Sequence, residues 1–109
     1  MKTKCYSDKI KTVTPEYVKE LLESENILLL DVREIHEYIS GHIKGSIHIP
    51  IKELEYRINE LPKDKGIIPY CRSGNRSLSA AMLLCSKGFK NIMHLEGGIL
   101  KWKYGFESF

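Results

Sequence analysis

The chain has 109 residues, 42% of them hydrophobic and 28% charged, which are ordinary globular proportions and exclude a disordered or low-complexity polypeptide. Lysine plus arginine (17) against aspartate plus glutamate (14) gives a net charge of +3, and the basic residues are interspersed with acidic ones, so no nucleic-acid partner is expected. A chain this long can bury roughly 60 to 70% of its unfolded surface around one core, so a single domain is expected over residues 1–109, with its core at about 10–104 and a short arm at 1–9.

The N-terminal stretch MKTKCYSDKIKTV lacks the apolar run of a signal peptide. The longest apolar run, Ile27-Leu28-Leu29-Leu30, is far short of the roughly 20 residues that cross a bilayer. A cytoplasmic protein with no membrane partner is expected, and there Cys5, Cys71 and Cys85 are thiols by default. Their number and spacing fit neither a disulfide framework nor a zinc site, so no metal is expected.

In chain order, Thr14-Pro15 marks a helix start, because a hydroxyl caps free backbone donors and proline tolerates the first turn. Tyr17, Val18, Leu21 and Leu22 then recur at helical spacing and predict a helix over 15–24. ILLLDV has no polar alternation and reads as a strand buried on both faces, ending at Asp31 or Val32. Helical patterns follow at 34–39, carried by Ile35, Tyr38 and Ile39, and at 52–60, carried by Leu54 and Ile58. Residues 67–70 form a second buried strand. A helix over 77–87 then carries Leu78, Ala81, Met82 and Cys85 on one face and closes at Gly88, and a third strand is read at 92–95. Short buried strands alternating with amphipathic helices predict an α/β domain with a parallel sheet. In open sheets of this kind, ligands collect at the carboxyl ends of the strands.

The segment Pro69-Tyr70-Cys71-Arg72-Ser73-Gly74-Asn75-Arg76-Ser77 lies at such an end. A free thiol is only about 3% ionised at pH 7, so a nucleophilic cysteine needs something that favours the anion. A helix beginning near Asn75 to Ser77 would aim unpaired N–H groups and its positive end at the loop. Arg72 and Arg76 add fixed charge, and Ser73, Gly74 and Asn75 suit a small turn whose N–H groups face inward as an anion nest. Two arginines at a helix start are disfavoured by the dipole, so a surface role does not account for them. Cys71 is therefore the candidate nucleophile.

Cys85 falls in step with the apolar face of its helix and is expected in the core, too far along the helix from Cys71 to resolve a disulfide with it. The place of Cys5 relative to the loop is open. A histidine base would make Cys71 a protease-type nucleophile. His36, His42, His48 and His94 are available, but their spacing singles out none, and each reads as structural or solvated.

These residues resemble the rhodanese, or thiosulfate sulfurtransferase, domain family from about Ile10 to Tyr104. Asp31-Val32-Arg33-Glu34 with Glu37-Tyr38 and Gly41-His42-Ile43-x-Gly45-Ser46-Ile47-x-Ile49-Pro50 is similar to its N-terminal signature. Tyr70 to Ser77 resembles its active-site loop, and Leu95-Glu96-Gly97-Gly98-Ile99 with Trp102 its C-terminal signature. The resemblance implies a five-stranded parallel sheet with helices on both faces. It also implies a cofactor-free sulfur relay, in which Cys71 takes sulfur from thiosulfate or a persulfide donor, becomes a persulfide and passes the sulfur to a thiol or cyanide. The loop residues Arg72, Ser73, Gly74, Asn75, Arg76 and Ser77 would bind the donor, and Asp31 and Arg33 match positions that support the loop. Arg33 either binds substrate or pairs with a carboxylate.

Two alternatives stand beside the enzyme: a sulfur-carrier or partner-binding module served by a sulfur-relay protein, and a phosphatase. Phosphatases of related fold use C-x5-R to ring a phosphate. Cys71 to Arg76 is C-x4-R, a tighter ring better suited to one sulfur atom. Pro69 departs from the family's usual aliphatic residue, lacks a backbone donor and is disfavoured inside central strands, so the loop's approach angle is expected to differ.

Overall fold

The computed structural model describes residues 10–24 and 26–108. Cys5 and the arm expected at 1–9 lie outside the described residues. Strand β1 (Lys11–Val13) leads into helix α1 (Pro15–Leu22), where Thr14 Oγ1 accepts the Tyr17 N–H at 3.1 Å and Pro15 takes the first helical position. β2 (Ile27–Asp31) is followed by α2 (Ile35–Ser40), β3 (His42–Ile43), β4 (Ile47–His48) and α3 (Ile51–Arg57), which tightens into a 3-10 turn at Ile58–Glu60. Then come β5 (Gly66–Tyr70), α4 (Asn75–Ser86), β6 (Met93–Leu95), a 3-10 turn at Gly98–Lys101 and β7 (Phe106–Glu107).

The strands run parallel in the order β1-β6-β5-β2-β4, with β6 joined to β5 by the single bridge Ile67↔Ile92. This is the five-stranded parallel sheet expected, with its outer strands β1 and β4 supplied by segments too short to show a period. β3 and β7 form a separate antiparallel ribbon.

Helices cover both faces. On one, Leu54 of α3 and Ala80, Ala81 and Leu84 of α4 pack against Leu30, Ile67 and Cys71. On the other, Val18 of α1 packs with Leu29, Ile68, Tyr70, Leu95 and Trp102. Side chains alternate along a strand, so Tyr70 and Cys71 part to opposite faces, and Cys71 turns to the side where α4 begins. Helix α2 differs from the sequence reading: Ile35 and Ile39, two of its three patterned residues, are 54% and 41% exposed. It sits at the rim of the sheet, and Tyr38 alone of the three is engaged, its ring stacked between His42 at 3.8 Å and His48 at 4.5 Å.

Pro69 does lie inside a central strand, opposite Leu30. The Ile67 N–H donates to Asn91 O toward β6 at 2.9 Å, whereas Tyr70 O accepts from Val32 on the β2 side at 3.1 Å. Backbone groups alternate sides along a parallel strand, so the donor that Pro69 lacks would have pointed at β6. The ladder between β5 and β6 stops there, one step short of pairing residue 69 with His94, and the β2 side keeps its full register. Among the described residues, no helix is long and apolar enough to cross a membrane.

Candidate active site

The loop after β5 turns inward around one sulfur. Cys71 is 2% exposed, and its Sγ accepts the Gly74 N–H at 3.1 Å and the Ser77 N–H at 3.4 Å. Ser77 Oγ lies 3.4 Å from the same sulfur. Gly74 caps α4 with φ +132°, a conformation L side chains rarely adopt, and it is this turn that swings its N–H toward the thiol. Burial pushes the Cys71 thiol up. The Ser77 hydroxyl and the N–H groups of Ser77, Gly74 and Ser73 more than offset that, leaving it below the ordinary thiol value. Of the three residues read as an anion nest, Ser73 and Gly74 turn N–H groups toward the sulfur, and Ser77 joins them from the first turn of the helix.

The C-terminal signature holds the outside of the loop. Cys71 O accepts the Ile99 N–H at 2.9 Å and Arg72 O accepts the Leu100 N–H at 3.3 Å. Gly98 packs beneath both carbonyls with φ +61°, and a Cβ there would stand 2.5 Å from each carbonyl oxygen. The loop's carbonyls are thus bonded away from the sulfur while its amides face it. The LEGGI motif is legible in the sequence, but nothing local shows that it grips the other end of the domain.

The three arginines singled out in the sequence have different environments. Arg33 is buried and paired with Asp31, its Nη2 2.6 Å from Asp31 Oδ2, and it also donates to Gly41 O at 2.7 Å. Of its two readings, the structure has the carboxylate pair. Asp31 sits at the end of β2, in register with Tyr70, and the pair closes the strand end next to the loop. Arg76 is held by Glu37 in a two-pronged ion pair, at 2.8 and 3.1 Å. Glu37 also closes a capping box at the start of α2, so this pair ties α2 to the first turn of α4. The Arg76 hydrogen bond, against a smaller penalty from burial, holds the Glu37 carboxyl down at about 2. Arg72 is exposed, and among the described residues no ion pair engages its guanidinium. Ser73 and Asn75 are likewise exposed at the loop's rim.

The histidines also separate. The His42 ring is buried against Tyr38 with Nδ1 2.8 Å from Tyr38 O, and His48 Nε2 lies 2.7 Å from Arg33 O, so both are structural as read. His94 is the residue that sequence reasoning missed. It is buried, with Nε2 2.7 Å from Ser77 Oγ and 3.0 Å from Gly74 O. Its signal was weak: an alternating polar residue between Met93 and Leu95. Cys85 packs against the core as expected. No group of His, Cys, Asp or Glu among the described residues could hold a metal ion.

Comparison with known proteins agrees with this geometry. The Rhodanese-like domain family matches residues 14–104. A sulfurtransferase of Allochromatium vinosum is 36% identical over 84 residues, 77% of this chain and 78% of that protein. A Bacillus subtilis protein, YrkF, provisionally named a sulfur carrier protein, is 40% identical over 94 residues, and the match spans 85% of this chain but only 51% of that protein. The crystal structure of a rhodanese-related protein from Thermoplasma volcanium superposes with a TM-score of 0.81 at 36% identity, covering 89% of this chain and 97% of that one. The chain belongs to the rhodanese-like domain family, and with it to the superfamily of catalytic sulfurtransferases.

Proposed function

We propose that the protein is a single-domain sulfurtransferase that carries a sulfane sulfur on Cys71. The observation that carries this reading is the ring of inward donors on a buried sulfur, to which no histidine is hydrogen-bonded among the described residues. Such a ring stabilises an anion at one sulfur atom and does not supply the base an acyl-transfer thiol requires. In the first step the Cys71 thiolate attacks the outer sulfur of thiosulfate, an S–S bond forms to Cys71, and the donor's S–S bond breaks with its electron pair leaving as sulfite. In the second, cyanide or a thiolate attacks the terminal sulfur of the Cys71 persulfide. The Cys71–sulfur bond breaks, and the thiolate returns. No electrons enter or leave the cycle, so no cofactor is required. Arg72 attracts the anionic donor, while Ser73, Gly74, Asn75 and Ser77 shape the cradle, and Arg76 orients the first turn through Glu37. Asp31 and Arg33 support the loop from the neighbouring strand.

The Allochromatium relative's name supports the enzyme, and the name of the Bacillus relative supports a second reading, a carrier that receives sulfur from a relay protein. Thiosulfate:cyanide turnover by the wild type and Cys71→Ser, with intact-mass detection of one added sulfur atom, separates them. Turnover lost in Cys71→Ser supports the enzyme; a persulfide without turnover supports the carrier. Neither signal with any donor, or turnover of a phosphotyrosine mimic comparable to that of thiosulfate, overturns both.

A further inference from the structure

We propose that His94 is a positioning residue for the Cys71 sulfur: its Nε2–H donates to Ser77 Oγ and thereby turns the Ser77 hydroxyl hydrogen toward Sγ. The inference rests on reading Cys71 as the sulfur-bearing nucleophile. Three distances carry it. His94 Nε2 is 2.7 Å from Ser77 Oγ, Ser77 Oγ is 3.4 Å from Cys71 Sγ, and Gly74 O is 3.0 Å from the same Nε2.

A hydroxyl has one hydrogen to give. Ser77 Oγ has three neighbours that could take it: the sulfur, His94 Nε2 and Gly74 O, the last at 3.1 Å. If Nε2 bore a lone pair, Ser77 would donate to it and present only an oxygen to an anionic sulfur. The Gly74 carbonyl removes that arrangement, because a lone pair facing a carbonyl oxygen at 3.0 Å repels it, whereas an N–H bonds to it. That carbonyl also accepts the Leu78 N–H at 3.1 Å as part of α4, and its second lone pair shares the one Nε2–H with Ser77 Oγ in a three-centre hydrogen bond, which leaves the carbonyl no lone pair for the Ser77 hydrogen. What remains for the Ser77 hydrogen is the sulfur. The chain of donors then runs from Nε2–H to Oγ–H to Sγ, with every hydrogen pointing toward the negative charge.

This arrangement is distinct from a cysteine–histidine catalytic pair. The ring nitrogen facing the site already holds its proton and cannot take one from Cys71, so the thiol proton leaves to water. Burial keeps the imidazole's affinity for a further proton below the ordinary value, although the Gly74 carbonyl works the other way. Of the charged groups near the loop, Arg76 of α4 is paired with Glu37 of α2 and Arg33 with Asp31 of β2, while Glu34 also acts on Arg76 and the loop's own Arg72 is exposed. Arg76 still acts on the Cys71 anion through space, and the hydrogen bonds to the sulfur come from Ser77 and the loop amides, so His94, by setting which way Ser77 points, controls one of those bonds. The same device would favour the terminal sulfur anion of a Cys71 persulfide.

The test is the pH dependence of Cys71 alkylation by iodoacetamide, which reads thiolate formation without any sulfur donor. His94→Asn, whose amide is too short to reach Oγ, should raise the midpoint by about half to one pH unit, the worth of one hydrogen bond. His94→Gln, which can place an N–H near the Nε2 position, should restore it. In a Ser77→Ala background, His94→Asn should have no further effect. An unchanged midpoint in His94→Asn, failure of His94→Gln to restore it, or an equal shift without the Ser77 hydroxyl overturns the proposal. Should His94→Asn not fold, the nitrogen resonances of wild-type His94 decide: a proton on Nε2 supports it, and a proton on Nδ1 alone overturns it. If the alkylation results hold but no persulfide ever forms, the sulfur-transfer reading fails and the hydrogen-bond chain stands.

Discussion

Glu37 and Arg76, 39 positions apart in the sequence, join two helices through a pair of hydrogen bonds of 2.8 and 3.1 Å beside the loop that follows β5. The Glu37 carboxylate thereby offsets the Arg76 charge, and the pair serves to fix the first turn of α4. The pair has a measurable signature. The carboxyl of Glu37 is lowered from 4.5 to about 2 in the folded protein, so its contribution is present above pH 4.5 and is lost as pH falls toward 2. Glu37→Gln should cost about 0.5–1 kcal/mol at pH 7, the modest figure due to a pair partly open to solvent. Denaturant titrations of both proteins should converge as pH falls through that window, and a constant difference would rule the pair out as its source.

Arg72 is the loop cation that no carboxylate claims among the described residues. Arg72→Ala should raise the thiosulfate KM by about 3- to 10-fold, the loss expected for one exposed charge-assisted contact to an anion. The change in kcat should be smaller. Steady-state kinetics at two salt concentrations check this, because a contact between exposed charges weakens with ionic strength. An effect confined to kcat would place Arg72 in the chemistry instead of in donor capture.

Gly98→Ala tests the grip of the C-terminal motif. Its new methyl would meet two backbone carbonyl oxygens at 2.5 Å, in a backbone conformation with φ +61° that already disfavours alanine. Backbone cannot rotate aside as a side chain can, so the loop must shift. A stability loss of about 1–3 kcal/mol is expected, together with slower Cys71 alkylation as the amides move off the sulfur. Thermal unfolding and alkylation rates should change together; a destabilised protein with normal Cys71 reactivity would show that Gly98 supports only the fold.

Pro69→Val restores a donor that faces β6. The new N–H should bond to that strand and extend the ladder to the pair 69 with His94, gaining about 1 kcal/mol. Loss of proline from the unfolded chain offsets about 0.4–1 kcal/mol of this, so net stability should change little. Hydrogen exchange is the decisive measurement: the amide at 69 should be as protected as its neighbours in β5. Exchange at the rate of a surface loop would show that the strands are too far apart there to pair.

Much of this was legible in local sequence because it depends on local chemistry. Thr14-Pro15 starts α1 through a cap that spans three residues, and the runs at 27–32 and 67–70 are apolar because their strands are covered on both faces. Cys71 followed by glycine and a helix start is likewise a local arrangement. The outer strands β1 and β4 were not legible, since two or three residues cannot display a period. The exposure of Ile35 and Ile39 was hidden for another reason: a helical pattern shows which residues share a face, and only packing shows whether anything covers it.

The sequence by itself determined the sulfur cradle, its ring of four residues between Cys71 and Arg76, and the α/β alternation that places it at a strand end. The tertiary structure alone decided what the surrounding charges and rings do with it. Arg33 and Arg76 became carboxylate partners, Arg72 was left exposed, Ile99 and Leu100 took the loop's carbonyls, and His94 came up beside Ser77. The physical reason is reach. Amides and hydroxyls of one turn act on their neighbours within a few residues, whereas an ion pair or ring hydrogen bond depends on which strands lie side by side, and that order follows from the whole core.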